Sequence, residues 1–127
     1  MSLVDVIMQK QNIFTYEPAS QDQINEAEKE LNVVFSEEYI NYVSELGVAI
    51  FDGHELTGLC NGKRLDVVSV TREQRKYNDF VPNDLYVVEC LDIDGIVIWQ
   101  DSSGNIYQTG PGFIFKKIHD SLIDYIK

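Results

Sequence analysis

The stretch DIDGIVIWQDSSGNIYQ, residues 92–108, contains three closely spaced aspartates, Asp92, Asp94 and Asp101. Carboxylates at short spacing can supply the oxygen ligands that calcium prefers. A calcium loop that began at Asp92 would need glycine at its sixth position and glutamate at its twelfth, but a valine and a serine stand there. The spacing therefore does not predict metal binding by these aspartates.

Hairpin turns explain the same residues. Asp94-Gly95 lies between two hydrophobic runs, and Asp-Gly tolerates the positive φ angles that a tight hairpin turn requires. Ser103-Gly104 has the same role one run later. We therefore expect turns at these positions, and we expect no metal and no cofactor.

Cys60 and His54 are the other residues whose types could do chemistry. A small hydrolase could use them as a nucleophile and its base, although the sequence does not show whether they meet in space. Motifs for phosphate-binding loops, dinucleotide folds, zinc proteases and serine nucleophile elbows are absent from the sequence. We expect a protein that is not an enzyme and that has no catalytic residues, and keep the cysteine–histidine hydrolase as a less favoured alternative.

The charge of the chain points to the class of its partner. The 127 residues include 21 acids against 10 bases, which gives a net charge of -11. Such a field repels nucleic acid and attracts basic partners. Lys and Arg are absent from residues 30–62 and again from residues 77–115. A solvated acidic surface that aids solubility is the alternative interpretation of this pattern.

Other global features favour a single cytoplasmic domain over residues 1–127. No run reaches the roughly 18 apolar residues of a membrane span. The start, MSLVDVIMQK, lacks the basic region of a signal peptide. Cys60 and Cys90 are the only cysteines, which is typical of a cytosolic protein with reduced thiols.

Hydrophobic periodicity predicts helices in the first part of the chain. Apolar residues recur at helical spacing over residues 2–11, 20–31 and 36–46. Ser20 and Gln23 form a capping-box pattern at the start of the second helix, and Ser36 is a suitable cap for the third.

The period then changes to that of strands. Extended runs are predicted at residues 48–51, 55–59, 86–91, 96–101 and 106–109, with a short extended piece at 113–115. Helix is predicted again at residues 71–77, after an apolar β-branched run at 66–70, and at 118–126. Helices followed by an antiparallel β-meander and a C-terminal helix indicate an α+β domain.

Trp99 lies in a strand with apolar residues on both faces, so either a second layer or a partner must cover that sheet.

The run LNVVFSEEYINYVSELGVAIFDGHELTGL, residues 31–59, resembles the signature of the SUKH superfamily, in its Smi/Knr-type branch. The matching positions are Leu31, Phe35, Tyr39, Gly47, Glu55, Leu56, Gly58 and Leu59. Asn32 and Ser36 replace the usual glycine and proline of the pattern. Further along, Thr71 and Arg75 resemble the short Thr-x-x-x-Arg helix of the family.

This resemblance implies a SUKH-like fold and a binding function without catalysis. Bacterial members are mostly cytoplasmic immunity proteins, or antitoxins, that neutralise a cognate secreted polymorphic toxin, often a nuclease. A protein-interaction or regulatory module that does not bind a toxin is the alternative. No nucleic acid and no membrane is expected as a partner, and the sequence does not predict an oligomeric state.

The proposed toxin contacts come from the base-free segments, because unopposed carboxylates on a rigid sheet give a persistent negative patch. The acids and neighbouring aromatic residues expected to contact the toxin are Glu55, Glu89, Asp92, Asp94, Trp99, Asp101 and Tyr107.

Overall fold

The computed structural model of the protein describes residues 1–91, 93–112 and 114–127. The helices in these ranges are α1 (Leu3–Met8), α2 (Gln21–Leu31), α3 (Glu37–Leu46), α4 (Val67–Tyr77) and α5 (Leu122–Ile126). The strands are β1 (Phe14–Thr15), β2 (Ala49–Phe51), β3 (His54–Leu56), β4 (Tyr86–Cys90), β5 (Val97–Gln100), β6 (Ile106–Gly110) and β7 (Ile114–His119). The mixed α+β architecture with a C-terminal helix confirms the predicted fold class.

The strands form two antiparallel sheets, ordered β1-β2-β3 and β4-β5-β6-β7. Asp52-Gly53 connects β2 to β3, and Asp94-Gly95 lies between β4 and β5. Their φ angles are 49° and 81° in the first turn and 55° and 66° in the second. Positive φ at both central positions matches the twist of a hairpin, so the predicted turns at Gly53 and Gly95 are confirmed. Gly104, with φ of 99°, likewise lies between β5 and β6.

Both faces of the four-stranded sheet are covered over β4 and β5. One face contributes to the main core, together with residues of all five helices; its buried side chains include Tyr86, Val88, Ile98 and Ile106. The opposite face packs against α4 and the segment that follows it, in a second cluster of Val70, Val81, Leu85, Val87, Val97 and Trp99. The apolar residues on both faces of β5 are therefore explained by a second layer of this chain.

Thr57, directly after β3, joins the two sheets. Its backbone N–H donates to the carbonyl of Val88 at 2.9 Å, and its hydroxyl donates to the carbonyl of Val87 at 2.8 Å. The hydroxyl of Tyr39 lies 2.9 Å from the same threonine oxygen. Since all these groups are buried, the hydrogen bonds fix the position of β3 relative to β4.

Glu38 of α3 holds the C-terminal helix in place. Its carboxylate accepts from the backbone N–H groups of Leu122 and Ile123, at 2.7 and 3.1 Å, which are the first residues of α5. It also accepts from the side-chain amide of Gln100 at 2.9 Å. A carboxylate at a helix N-terminus satisfies unpaired N–H groups and complements the helix dipole. One side chain thus connects α3, β5 and α5.

Two of the predicted elements need correction, and one strand was not predicted. The fourth helix begins at Val67, because Asp66 caps it by accepting from the N–H of Ser69 at 3.1 Å. The β-branched run before Thr71 is therefore helical, and its buried side chains outweigh their intrinsic preference for strands. β1 has only two residues, too few to produce a periodic signal.

The closing helix is shorter than the predicted residues 118–126. Ile118 and His119 belong to β7, in which His119 pairs with Ile106 and Lys117 pairs with Tyr107 across an irregularity in register. Ser121 then caps α5 by accepting from the N–H of Asp124 at 3.1 Å. Ile118 has the same helical spacing as the apolar residues that follow it. For this reason the predicted start of the closing helix was wrong and lay too early in the sequence.

Candidate functional site

Two of the seven expected contact residues are buried. Trp99 is fully buried beneath α4, and its indole N–H donates to the hydroxyl of Thr109 at 3.0 Å. Glu89 is only 1% exposed. Neither side chain reaches the surface, which corrects the expectation that they form part of an exposed patch.

A bulge in β4 explains the burial of Glu89. The register shifts between Val87, opposite Trp99, and Glu89, opposite Ile98. Because side chains alternate along a strand, the extra residue Val88 moves Glu89 from the α4 side to the face of the main core. Strict alternation read from the sequence does not reveal such an insertion.

The buried carboxylate of Glu89 is fully engaged within the fold. It accepts from the N–H of Glu55 at 2.6 Å and from the hydroxyl of Tyr125 at 2.5 Å. The Nδ1 atom of His54 lies 3.0 Å from Oε1 of Glu89, the same oxygen that accepts from Tyr125. This hydrogen bond to Glu89 raises the pKa of His54, against the lowering effect of partial burial. Burial, with the hydrogen bond to Glu89, also raises the pKa of Tyr125. The cluster links β3, β4 and α5.

Glu55 and Asp101 are surface carboxylates with partners in the same chain. Glu55 forms a two-pronged pair with Arg64, at 2.8 and 3.0 Å, and these hydrogen bonds lower its pKa. Asp101 accepts from the N–H groups of Ser103 and Asn105, at 3.0 and 2.9 Å. Burial acts to raise its pKa, but its hydrogen bonds outweigh this and lower it. Both carboxylates thus have structural roles.

The remaining expected residues are spread along the sheet. Tyr107 is half-buried, donates to Asp101 at 3.0 Å and stacks on Phe115 with ring centroids 5.2 Å apart. Asp94 is exposed in its turn. Asp92 lies outside the described residues. The structure therefore does not gather the seven residues into one acidic surface, and Asp94 is the carboxylate among those described that is most open to a partner.

The cysteine–histidine hydrolase gains no support from the geometry. The His54 ring faces Glu89, and the thiol of Cys60 donates to the carbonyl of Gly62 at 3.4 Å. Burial raises the pKa of Cys60, whereas a nucleophilic cysteine needs a lowered one. Neither residue is arranged to activate the other.

A groove of about 460 Å³ lies between α2 and the segment from β3 to α4, and four carboxylates line it. Its carboxylates are Asp22, Glu26, Glu30 and Asp66, and we call it the acidic groove. Asp22, Glu26 and Glu30 are exposed and four residues apart, so they lie one above the other along one side of α2. No Lys or Arg is among the described residues that line it.

Beneath the carboxylates, the acidic groove is lined by small or apolar side chains. Ala27 and Val68 are buried, and Leu59 and Cys60 are half-buried. A partner that entered the groove would meet apolar surface flanked by carboxylates, which suits the long aliphatic stem and charged end of a lysine or arginine.

Two glycines bring the 58–61 segment close enough to form this wall. Gly58 donates to the carbonyl of Leu65 at 2.9 Å, and Leu59 donates to the carbonyl of Gly47 at 3.1 Å. A Cβ atom on Gly58 would overlap the carbonyl oxygen of Gly47. Gly47 itself has φ of 70°, and a Cβ there would overlap the carbonyl oxygen of Glu17. Only residues without a side chain allow these backbone contacts.

An adjoining cavity of about 170 Å³ extends the acidic groove towards aromatic side chains. The two share Gln23, Leu59, Cys60 and Asn61. Tyr16 lines the far end, and its ring lies edge-on to that of Phe14, with centroids 5.9 Å apart. Phe14 is 62% exposed. Exposed aromatic faces beside carboxylates add cation–π attraction for a basic segment.

The sequence contains one signal for the acidic groove. The spacing of Asp22, Glu26 and Glu30 predicts one acidic helix side. The long segments without bases point instead to residues 77–115 and to Glu55. The meeting of α2 with residues 59–66 depends on the Gly47–Gly58 contact, which spacing alone does not predict.

The described residues were found to contain neither a metal-holding group of side chains nor a membrane-crossing helix. Within residues 1–91, 93–112 and 114–127, no group of three His, Cys, Asp or Glu side chains is arranged to hold a metal ion. The helices formed there all lack the length and apolar character that crossing a bilayer requires.

Residues 2–114 match a family model of the SUKH group that is described as SMI1-KNR4 cell-wall. The matched range begins before α1 and extends to the first residue of β7. No curated protein sequence matches the chain significantly.

Proposed function

This chain belongs to the SMI1-KNR4 family of the SUKH superfamily, and we propose that it is an immunity protein that binds and neutralises a cognate protein toxin. The family is consistent with such a binding role and is generally without catalysis. We propose that the toxin is a secreted polymorphic toxin with a nuclease domain, and that the immunity protein acts in the cytoplasm of the producing cell.

The acidic groove is the observation that supports this proposal most strongly. A nuclease must hold phosphate groups, so its active face is rich in Lys and Arg. Three exposed carboxylates on α2, with the helix cap Asp66 beside them and no base in the lining, offer such a face several charge-assisted contacts at once. A negative patch also steers a basic protein into contact, which speeds association.

The energetic cost of the acidic row on α2 favours a role in binding. Like charges four residues apart destabilise a helix by roughly 0.2–0.5 kcal/mol per pair. Asp22 with Glu26 and Glu26 with Glu30 form two such pairs. A contribution of these carboxylates to binding would offset this cost.

The connection between β4 and β5 remains a second candidate contact region. Asp94 is exposed there, next to Ile93, which is 66% exposed. Tyr107, near the start of β6, and Asp101, directly after β5, lie at the opposite end of these strands from Asp94. The hydroxyl of Tyr107 donates to Asp101, so both side chains already have a partner. We propose that the acidic groove makes the principal contact and that Asp94 lies outside or at the rim of the interface.

The direct test is inhibition of the toxin encoded beside the gene for this chain. The isolated toxin domain is assayed for nuclease activity on DNA and RNA as the purified chain is added. We expect complete inhibition at a one-to-one molar ratio, because a blocking protein acts by occupancy and not by turnover. Inhibition far below that ratio would indicate an enzyme.

A variant with Glu26→Lys and Glu30→Lys should inhibit only at much higher concentration. The matched control, Glu45→Lys with Glu73→Lys, has the same change of charge at exposed helix positions that do not line the acidic groove. Absence of inhibition by the unmodified chain would contradict the immunity function. Binding to a neighbouring protein that has no toxic activity would favour the regulatory module instead.

A further inference from the structure

β7 leaves one edge of the four-stranded sheet open. It pairs with β6 on one side and is the last strand in the order β4-β5-β6-β7. Apart from this pairing, no backbone hydrogen bond joins residues 114–118 to another part of the described chain. An open edge presents N–H and C=O groups that another strand can pair with.

Two apolar side chains at this edge are unusually exposed to solvent. Ile114 is 49% exposed and Phe115 is 37% exposed. Phe115 lies opposite Thr109 and its ring stacks on Tyr107, so the aromatic surface continues from the edge onto β6. Helix α4 covers the same face of the sheet at β4 and β5 but leaves this aromatic pair accessible.

Two lysines follow directly and are the first bases after 39 residues without any. Lys116 and Lys117 are both exposed. Lys117 pairs with Asp120 at 2.7 Å, whereas Lys116 takes part in none of the ion pairs formed by the described residues. In a chain of net charge -11, Lys116 gives this edge a positive charge beside the Lys117–Asp120 pair.

The lysines disfavour pairing of β7 with a second copy of itself. In an antiparallel pair of identical strands centred here, Lys116 and Lys117 of one copy lie opposite or diagonal to the same lysines of the other. Like charges directly opposite destabilise the pairing, and lysines on an edge are a known protection against self-association.

We propose that the open edge of β7 is a docking site for an extended acidic segment of a partner protein, which adds a fifth strand to the sheet. Main-chain hydrogen bonds to β7 hold the segment, and the side chains select it. On each face of the edge an apolar residue is followed two positions later by a lysine: Ile114 with Lys116, and Phe115 with Lys117. The matching segment therefore has two adjacent apolar residues and two adjacent acids.

This docking site is separate from the acidic groove and does not depend on the identity of the toxin. The groove attracts basic surfaces, while the β7 edge attracts acidic strands. One chain can therefore bind two segments of opposite charge, on one partner or on two.

The test uses a defined peptide probe and the full chain. The probe is an eight-residue, end-blocked peptide with the core Glu-Glu-Val-Ile, and the control peptide has Lys-Lys-Val-Ile. Binding is followed by the backbone amide signals of isotope-labelled protein in nuclear magnetic resonance, which detects weak complexes. We expect saturable shifts at residues 114–118 with the acidic peptide, and slowed amide exchange there, but not with the basic peptide.

A single charge reversal then tests the selection rule. Lys116→Glu should weaken binding of the acidic peptide about fivefold or more, in line with the loss of one exposed ion pair and the added repulsion. Lys63→Glu, at an exposed loop position, is the matched control and should leave binding unchanged. The amide spectrum of each variant reports whether it is folded.

Three results would overturn the proposal. The first is the absence of saturable shifts with the acidic peptide. The second is shifts confined to the acidic groove or equal for both peptides. The third is a concentration-dependent dimer in sedimentation analysis whose contact lies at β7, because a second copy would then occupy the edge.

Discussion

At the scale of single residues, Gly58 determines whether the acidic groove exists. Its backbone approaches Gly47 so closely that any Cβ would overlap a carbonyl oxygen. Backbone cannot move aside as the end of a flexible side chain can, so a substitution must shift the wall of the groove.

We predict that Gly58→Ala destabilises the protein by about 3 kcal/mol, at the upper end of the cost of overpacking. Gly62→Ala is the control, because a Cβ at Gly62 meets nothing within 4 Å, and it should change stability by less than about 0.5 kcal/mol. Urea denaturation of both variants measures the difference. Equal midpoints for the two variants would show that the close contact between Gly47 and Gly58 is wrong.

His54 makes stability depend on pH. Its pKa is raised above the ordinary value of 6.5, first by the hydrogen bond to Glu89. Protonated His54 is therefore favoured in the folded state, and its stabilising contribution is complete below about pH 6.5. This contribution is lost as pH rises through the higher folded pKa.

We predict that the free energy of unfolding of the wild type falls between pH 6 and pH 8 relative to that of His54→Asn. The variant lacks the titrating group but keeps a polar side chain near Glu89. Urea midpoints of both proteins across this range provide the measurement. Parallel curves would mean that His54 does not gain its proton from pairing with Glu89.

At the scale of elements, helix caps are features that the sequence predicts well. The capping box of α2 is present as expected: the Ser20 hydroxyl accepts from the N–H of Gln23 at 3.1 Å, and the Gln23 side chain accepts from the N–H of Ser20 at 2.8 Å. These contacts are local, so residue types and a spacing of three identify them.

We predict that Ser20→Ala lowers the free energy of unfolding by roughly 0.5–2 kcal/mol, the usual cost of removing a serine cap. Ser102→Ala, in the exposed connection between β5 and β6, is the comparison and should be nearly neutral. Thermal or urea unfolding distinguishes the two. An unchanged midpoint for Ser20→Ala would contradict the cap.

Elements that depend on distant contacts were harder to predict from the sequence. The start of α4 at Val67 is favoured by burial of its valines, and the start of α5 by Glu38, which is 84 positions away from Leu122 in sequence. The bulge that buries Glu89 also cannot be predicted from the two-residue alternation of a strand. Propensity and periodicity describe neighbours along the chain, whereas these features are decided by packing between elements.

At the scale of the whole molecule, the sequence predicted a strongly acidic protein but not which of its carboxylates lie together on the surface. The sequence predicted an acidic binding protein and assigned its contacts to the segments without bases, chiefly 77–115 with Glu55 from 30–62. The described acids of that hairpin region prove to be buried, paired or scattered, except at Asp94. The carboxylates that line a concave surface together come from α2 and Asp66. Net charge is a property of composition, but a binding surface depends on which segments the fold brings together.

The measurement that tests the proposed function most directly is the rate of association with the toxin at two salt concentrations. Electrostatic steering by the acidic groove should make this rate fall as salt rises. Replacement of Glu26 and Glu30 by Lys should slow association at low salt by about tenfold or more and flatten its salt dependence.

The control with Glu45 and Glu73 replaced by Lys has the same net charge and should stay within about twofold of the wild type, because steering acts mainly through charges near the contact. Asp94→Asn, which keeps a residue that tolerates a positive φ angle, should also have little effect. Thermal unfolding of each variant verifies that it is folded. Equal slowing of the groove variant and its control, or wild-type rates from the groove variant at both salt concentrations, would contradict binding through the acidic groove.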